Sequence, residues 1–158
     1  MNTSRIEIID KWVEEIHAGQ FRDGPEKLPY VTHLRAVKDI ALDMIKDRWW
    51  SHDEEDMVAA TALLHDSYED GKATLDQIYN KLIEAGFHVA RAASITKFTK
   101  ILARPDKAAM SILAYLDEIH LYEVSRVVKI ADMTHNSQTT KPGNRKDKYD
   151  LAIAYLKR

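Results

Sequence analysis

Cysteine is absent from the sequence, glycine (5) and proline (4) are scarce, and neither sign of charge is in large excess. The lack of cysteine removes disulfides, thiolate metal sites and cysteine nucleophiles together, which leaves His, Asp and Glu as the available metal ligands. So few helix breakers point to an all-α protein. A formal net charge of -2 argues against a nucleic-acid binder, since such proteins carry a basic excess to neutralise phosphates. A local basic pocket for a small phosphorylated ligand stays open. No apolar run reaches the length that spans a bilayer. Met1 to Glu15 is charged throughout and lacks the apolar centre of a signal peptide. The expectation is a cytoplasmic protein with neither membrane nor nucleic acid as a partner. Its 158 residues, 45% hydrophobic and 30% charged, fit one domain, 1–158, with one sizeable core.

What is present reads as a series of helices. Ser4-x-x-Glu7, Ser51-x-x-Glu54 and Thr74-x-x-Gln77 are capping boxes, each opening a helix. Ile6, Ile9, Trp12, Val13 and Ile16 follow the first box at helical spacing. Gly24, Pro25 and Pro29 break the chain between Phe21 and Pro29, and a second helix follows from near Val31 through Ile45. The second box opens a strongly apolar helix, Met57 to Leu64, that runs into His65-Asp66-Ser67-Tyr68-Glu69-Asp70 and stops at Gly71. The third opens a helix ending near Gly86, and His88 to Lys100 forms the next. Pro105 suits the first turn of the following helix, where a missing N–H costs nothing. Glu123 to Asn136 reads as a helix with Val124, Val127, Val128 and Ala131 on one face, although valine-rich stretches also suit strands. Thr139 to Lys148 is expected as a polar, basic loop, with a last helix from about Arg145 to Leu156.

Two His-Asp dipeptides occur, and with 7 His in the chain about one arises by chance, so the dipeptide alone is a weak motif. His52-Asp53 lies among Ser51, Glu54, Glu55 and Asp56, where a solvated first turn favoured by the helix dipole explains it. His65-Asp66 is delivered by an interior helix. A carboxylate buried beside an imidazole is costly unless a charge compensates it, and a metal ion does so. Glu69 follows His65, and Asp70 follows Asp66, by one helical turn. If the helix persists to Gly71, the four form two parallel rows on adjacent faces. His33 begins the second helix, and Asp132 sits late in a buried one with His135 and Asn136 a turn beyond. Two His and two Asp suit a divalent metal that keeps positions open for water and substrate.

The order His…His-Asp…Asp resembles the HD phosphohydrolase superfamily, and most closely the hydrolase domain of RelA/SpoT-type alarmone enzymes and the small stand-alone alarmone hydrolases. Four stretches carry the resemblance: His17-Ala18-Gly19-Gln20-Phe21-Arg22, Pro29-Tyr30-Val31-Thr32-His33, Ala62-Leu63-Leu64-His65-Asp66-Ser67-Tyr68-Glu69-Asp70, and Lys129-Ile130-Ala131-Asp132-Met133-Thr134-His135-Asn136. The resemblance implies a single HD-domain helical fold of about seven to nine helices, one divalent metal, usually manganese (Mn2+), and hydrolysis of the 3′-pyrophosphate of guanosine tetra- or pentaphosphate (ppGpp). It implies His33, His65, Asp66 and Asp132 as metal ligands. Glu69 and Asp70 position and deprotonate the attacking water, Arg22 stacks on the purine, and Asn136 and Thr139 contact the nucleotide. Basic residues must offset the phosphate charge, with Lys97, Lys100, Arg104, Lys141 and Arg145 as candidates. With only a hydrolase domain in view, any activity is expected to be degradative.

The chain departs from the family at Asp23, where a Lys is usual, and at Ser137-Gln138, where Met-Arg is favoured. Two readings therefore stand beside the alarmone. One is hydrolysis of another nucleotide on the same scaffold: a deoxynucleoside or nucleoside triphosphate, a nucleoside monophosphate or NADPH. The other is a non-catalytic nucleotide-binding helical module, which predicts decay of the Glu69-Asp70 pair, whereas both acids are present. Trp49 and Trp50 cannot both face one core from a helix end, so one is expected exposed or at a subunit contact, which leaves a homo-oligomer open.

Overall fold

The serine and threonine caps start their helices as the sequence suggests. Ser4, Ser51 and Thr74 each accept a bond from the backbone N–H three residues on, and Glu7, Glu54 and Gln77 reach back to the cap N–H. The computed structural model describes residues 3–104 and 106–158. Among these residues the order is α1 (Arg5–Ile16), α2 (Val31–Ile45), α3 (His52–Leu64), α4 (Leu75–Glu84), α5 (Val89–Leu102), α6 (Ile112–His120), α7 (Glu123–Thr139) and α8 (Asn144–Lys157). No strand occurs among them. One isolated antiparallel bridge, Phe21 to Pro29, closes the loop ahead of α2. No described helix is long and apolar enough to cross a membrane.

α3 is the axis of the molecule. Every residue from Met57 to Leu64 is buried, as a helix that is apolar all round requires. It packs against α1, α2, α5 and α7 and feeds two cores. Val58 and Ala62 join Val37, Ala41 and Ile45 of α2 with Leu116 of α6, Val128 of α7 and Leu156 of α8. Leu63 and Leu64 join Ile9 and Val13 of α1 with Ile78 and Leu82 of α4 and Ile95 of α5. Leu63 is fully enclosed, so Leu63→Ala is expected to destabilise the protein by about 2–5 kcal/mol. Urea denaturation monitored by circular dichroism checks this, and a loss under about 1 kcal/mol would mean that the axis packs loosely.

Three boundaries differ from expectation. α7 is helical despite its valines, because Val124, Val127 and Val128 are all buried against neighbouring helices and packing outweighs propensity, and it continues to Thr139. The basic loop shrinks to residues 140–143, since Gly143, at φ 145, turns the chain and Arg145 to Lys148 become the first turns of α8. α6 begins at Ile112, capped by Ser111. The expectation for Pro105 falls outside the described residues. Trp49 is fully exposed and Trp50, partly buried, packs against the core that contains Val58 and Ala62.

Candidate metal centre and substrate cavity

His33 lies in the first turn of α2, His65 and Asp66 follow directly on α3, and Asp132 lies midway along α7. Their convergence is therefore fixed by how α2, α3 and α7 pack. His33 Nε2 is 3.1 Å from Asp132 Oδ1 and 3.7 Å from Asp66 Oδ2, and His65 Nε2 is 3.5 and 3.0 Å from the same two atoms. His33, His65 and Asp132 are buried and each offers a ligand atom within 4.8 Å of the others.

The donor set itself calls for a cation. His65 Nδ1 lies 2.7 Å from the Ala62 carbonyl oxygen, which has no proton to give, so Nδ1 carries a hydrogen and Nε2 is the ring atom turned to the two carboxylates. That Nε2 is buried and, although two carboxylate oxygens lie close by, makes no hydrogen bond of good geometry among the described residues, an arrangement that needs a reason. Two imidazole nitrogens and the Asp132 carboxylate fit an ion of the zinc or manganese class, while Asp66, expected as a fourth ligand, stands outside that group with its Oδ2 3.0 Å from His65 Nε2.

A second layer orients these ligands. Tyr30 Oη donates to Asp66 Oδ2 at 2.6 Å, Asn136 Nδ2 to Asp132 Oδ1 at 3.0 Å, and Lys129 Nζ to Asp132 Oδ2 at 2.9 Å. His33 Nδ1 and His135 Nδ1 are 2.8 Å apart. With His33 Nε2 turned to the carboxylates, its Nδ1 is the donor and His135 accepts. Burial, followed by His33 and Arg22, pushes His135 down to about 4, which suits a neutral acceptor. Burial and the neighbouring Asp66 push the Tyr30 hydroxyl up, so it remains a donor. Burial alone would raise Asp132, but Lys129 and the two histidines outweigh it and hold the carboxyl well below the usual range. His17, stacked on the Tyr30 ring at 5.5 Å and bonded to Gln20 and Ser67, braces Tyr30 from behind.

The centre forms part of the wall of a cavity of about 1170 Å³ lined by the loop of residues 20–28, by Arg104 and Lys107, and by the α7–α8 connection. Arg22, Asn136 and Thr139, expected to bind substrate, meet there: the Arg22 guanidinium donates to Asn136 Oδ1 at 3.0 Å and to Thr139 Oγ1 at 3.3 Å. Glu69 lines the cavity and accepts from the Arg104 backbone N–H at 2.6 Å. Asp70 is exposed, lies off the cavity and accepts from Gln20 Nε2 at 2.9 Å. Regular helix ends at Leu64, and the next residues run through turns to Gly71, at φ 66, with the Asp70 N–H still bonded to the Asp66 carbonyl and the Glu69 and Asp70 carboxylates taken up by different partners.

Lys97 is not brought to the cavity. Its ammonium sits 4.2 Å from the Tyr122 ring centroid, and it is not among the residues that line the cavity. Lys100 is also absent from the lining, whereas Arg104, Lys141 and Arg145 belong to it. Asp23 lies at the mouth, nearly fully exposed, 3.9 Å from Arg145. Ser137 faces away and donates to Asp150, so it joins α7 to α8 instead of meeting a ligand. Sequence reasoning missed Tyr30 and Lys129 as site residues. Each precedes a metal-ligand candidate by three positions, one helical turn, and that spacing was the available signal.

No family model and no curated protein matches the chain. A solved structure of a metazoan orthologue of SpoT, described as hydrolysing ppGpp and playing a role in starvation responses, superposes with a TM-score of 0.71 at 18% identity, covering 99% of this chain and 85% of that one. At that identity the likeness carries the fold.

Proposed function

We propose, starting from the HD-type fold that the chain shares with a ppGpp hydrolase, that it is a metal-dependent phosphohydrolase removing the 3′-pyrophosphate of guanosine tetra- or pentaphosphate. The observation that carries this reading is the convergence of the buried His65 Nε2, which makes no hydrogen bond of good geometry among the described residues, with His33, Asp66 and Asp132 beside a cavity edged by cationic side chains. In this reading residues 1–158 form one cytoplasmic hydrolase domain whose partner is a small nucleotide.

His33, His65, Asp66 and Asp132 would hold one divalent ion, with manganese suited to the mixed oxygen and imidazole set. When bound, the ion supplies Lewis-acid polarisation of the phosphoryl oxygen and acidification of water. Glu69, lining the cavity with one oxygen fixed by the Arg104 N–H, uses its other oxygen to take the proton of the attacking water. Water adds to the phosphorus attached to ribose O3′, the O3′–P bond breaks, and O3′ takes up a proton, leaving pyrophosphate and guanosine 5′-diphosphate from the tetraphosphate or 5′-triphosphate from the pentaphosphate. Asp70 contributes by anchoring Gln20, and with it the start of the loop that carries Arg22.

Arg104, Lys107, Lys141, Arg145 and Lys148 line the cavity and offset the charge of the two phosphate chains. Arg22 stacks on the purine, and Asn136 and Thr139, now bonded to it, exchange those bonds for contacts with the nucleotide. Asp23 at the mouth favours one second reading, the same chemistry on a nucleotide with less negative charge at that end, such as a nucleoside or deoxynucleoside triphosphate or NADPH. Manganese-loaded protein assayed on a panel of these compounds tests the choice. Hydrolysis of ppGpp with kcat/KM at least about ten-fold above every other member is expected. Phosphate or pyrophosphate from another nucleotide alone would overturn the alarmone and leave the reaction type standing.

A further inference from the structure

Among the cations that line the cavity, Lys129 stands apart. Arg145 keeps 67% of its side chain in solvent, while Lys129 keeps 13%. Its ammonium lies 2.9 Å from Asp132 Oδ2 and 5.4 Å from the centroid of the Tyr115 ring, whose hydroxyl is itself held by the Leu102 carbonyl. The two oxygens of Asp132 therefore have different neighbours. Oδ1 faces both imidazoles, at 3.1 and 3.5 Å, and takes the Asn136 amide. Oδ2 faces Lys129 alone among the described residues.

Burying an ammonium removes its hydration, and a methionine of similar length would fill the same space without that penalty. Packing does not explain the residue. A cation placed behind a metal ligand also works against the metal, because it repels the ion and competes for the ligand's charge. A lysine here weakens ion binding, so its use must lie elsewhere.

We propose that Lys129 is a positioning residue that reserves Asp132 Oδ2, so that Asp132 presents one oxygen to the ion, leaves the remaining coordination positions to substrate, and adds a positive charge on the side of the approaching phosphoryl group. The inference rests on the metal-centre reading above. It extends that reading by assigning the lysine a trade of metal affinity for turnover.

Lys129→Met and Lys129→Arg are compared with the wild type by isothermal titration of manganese without nucleotide, and by steady-state hydrolysis of ppGpp. Lys129→Met is expected to bind manganese about 3- to 10-fold more tightly, since a like charge is removed and a second oxygen is freed. Its kcat is expected to fall about 10- to 100-fold, the usual effect of losing an outer partner of a metal ligand, with KM changed less than kcat. Lys129→Arg should restore both values to within about three-fold of the wild type, because it returns the charge. A purely structural lysine would not give tighter binding together with slower turnover. Weaker manganese binding by a Lys129→Met protein of native helicity, or unchanged kcat, overturns the proposal. Should the Met variant fail to fold, an Arg variant with wild-type affinity but no recovery of kcat overturns it equally. Absence of wild-type turnover on ppGpp would sink the substrate reading alone, and the affinity comparison would still decide the role of Lys129.

Discussion

Asp132→Ala is expected to empty the metal centre and abolish hydrolysis together. Asp132, like Asp66, faces both imidazole nitrogens, and it alone of the two joins the buried His33–His65 group and takes bonds from Lys129 and Asn136. Its removal deletes a charged ligand and leaves the Lys129 ammonium beside two histidines with less to balance it. Loss of an outer partner of a ligand costs about 10- to 100-fold in affinity or in activity, so loss of the ligand itself should cost more than about 100-fold in affinity. Activity should drop to background, on the order of 10³-fold or more, since both the ion and its effect on water go. A buried cation without its partner destabilises by about 3–5 kcal/mol, so Asp132→Asn, which keeps the volume, accompanies it as a control on folding. Calorimetric titration with manganese and chromatographic detection of pyrophosphate give the two readouts. Stoichiometric manganese binding by the Ala variant would remove Asp132 from the ligand set.

Glu69→Gln should separate what Asp132→Ala merges. Glu69 contributes no atom to the cluster of His33, His65 and Asp132, so manganese affinity is expected to stay within about three-fold of the wild type. Its Oε1 accepts from the Arg104 N–H, and a glutamine carbonyl can accept the same bond, so the orientation survives. What disappears is the group that takes a proton. The expected loss in kcat is about 10²- to 10⁴-fold, the range for a general base. Loss of metal in this variant would show that Glu69 ligates the ion and that the division of roles is wrong. Retained turnover would move the base elsewhere on the cavity wall.

The helices were legible because their starts are written locally: a Ser or Thr side chain, a Glu or Gln three residues later, and an apolar period after it. α3 was legible as an interior element because no face of Met57 to Leu64 is polar. The site was legible as a composition of ligands and not as a geometry. His33 and His135 are 102 positions apart, and Arg22 and Asn136 are 114 apart. Nothing in either segment states that α2 and α7 lie side by side. Asp70 shows the same limit at short range. Its direction depends on where regular helix ends, and the carbonyls and N–H groups from Ser67 to Ala73 settle that through turn bonds, including both Lys72 and Ala73 N–H to the Ser67 oxygen. Lys97 was a candidate by its charge, but its ammonium turns to the Tyr122 ring. Lys129 was written plainly one turn before Asp132, where an i,i+3 pair is the ordinary reading, and only its burial distinguishes it.

The account depends most on the statement that four side chains form one divalent-metal site that carries the reaction. Protein stripped with a chelator and titrated with manganese tests it, with bound ion followed by paramagnetic resonance and ppGpp hydrolysis assayed at each point. One ion per chain, with pyrophosphate release rising in proportion to occupancy from a silent apoprotein, is the predicted result. Hydrolysis by the stripped protein, or full occupancy that leaves every nucleotide of the panel intact, would contradict it.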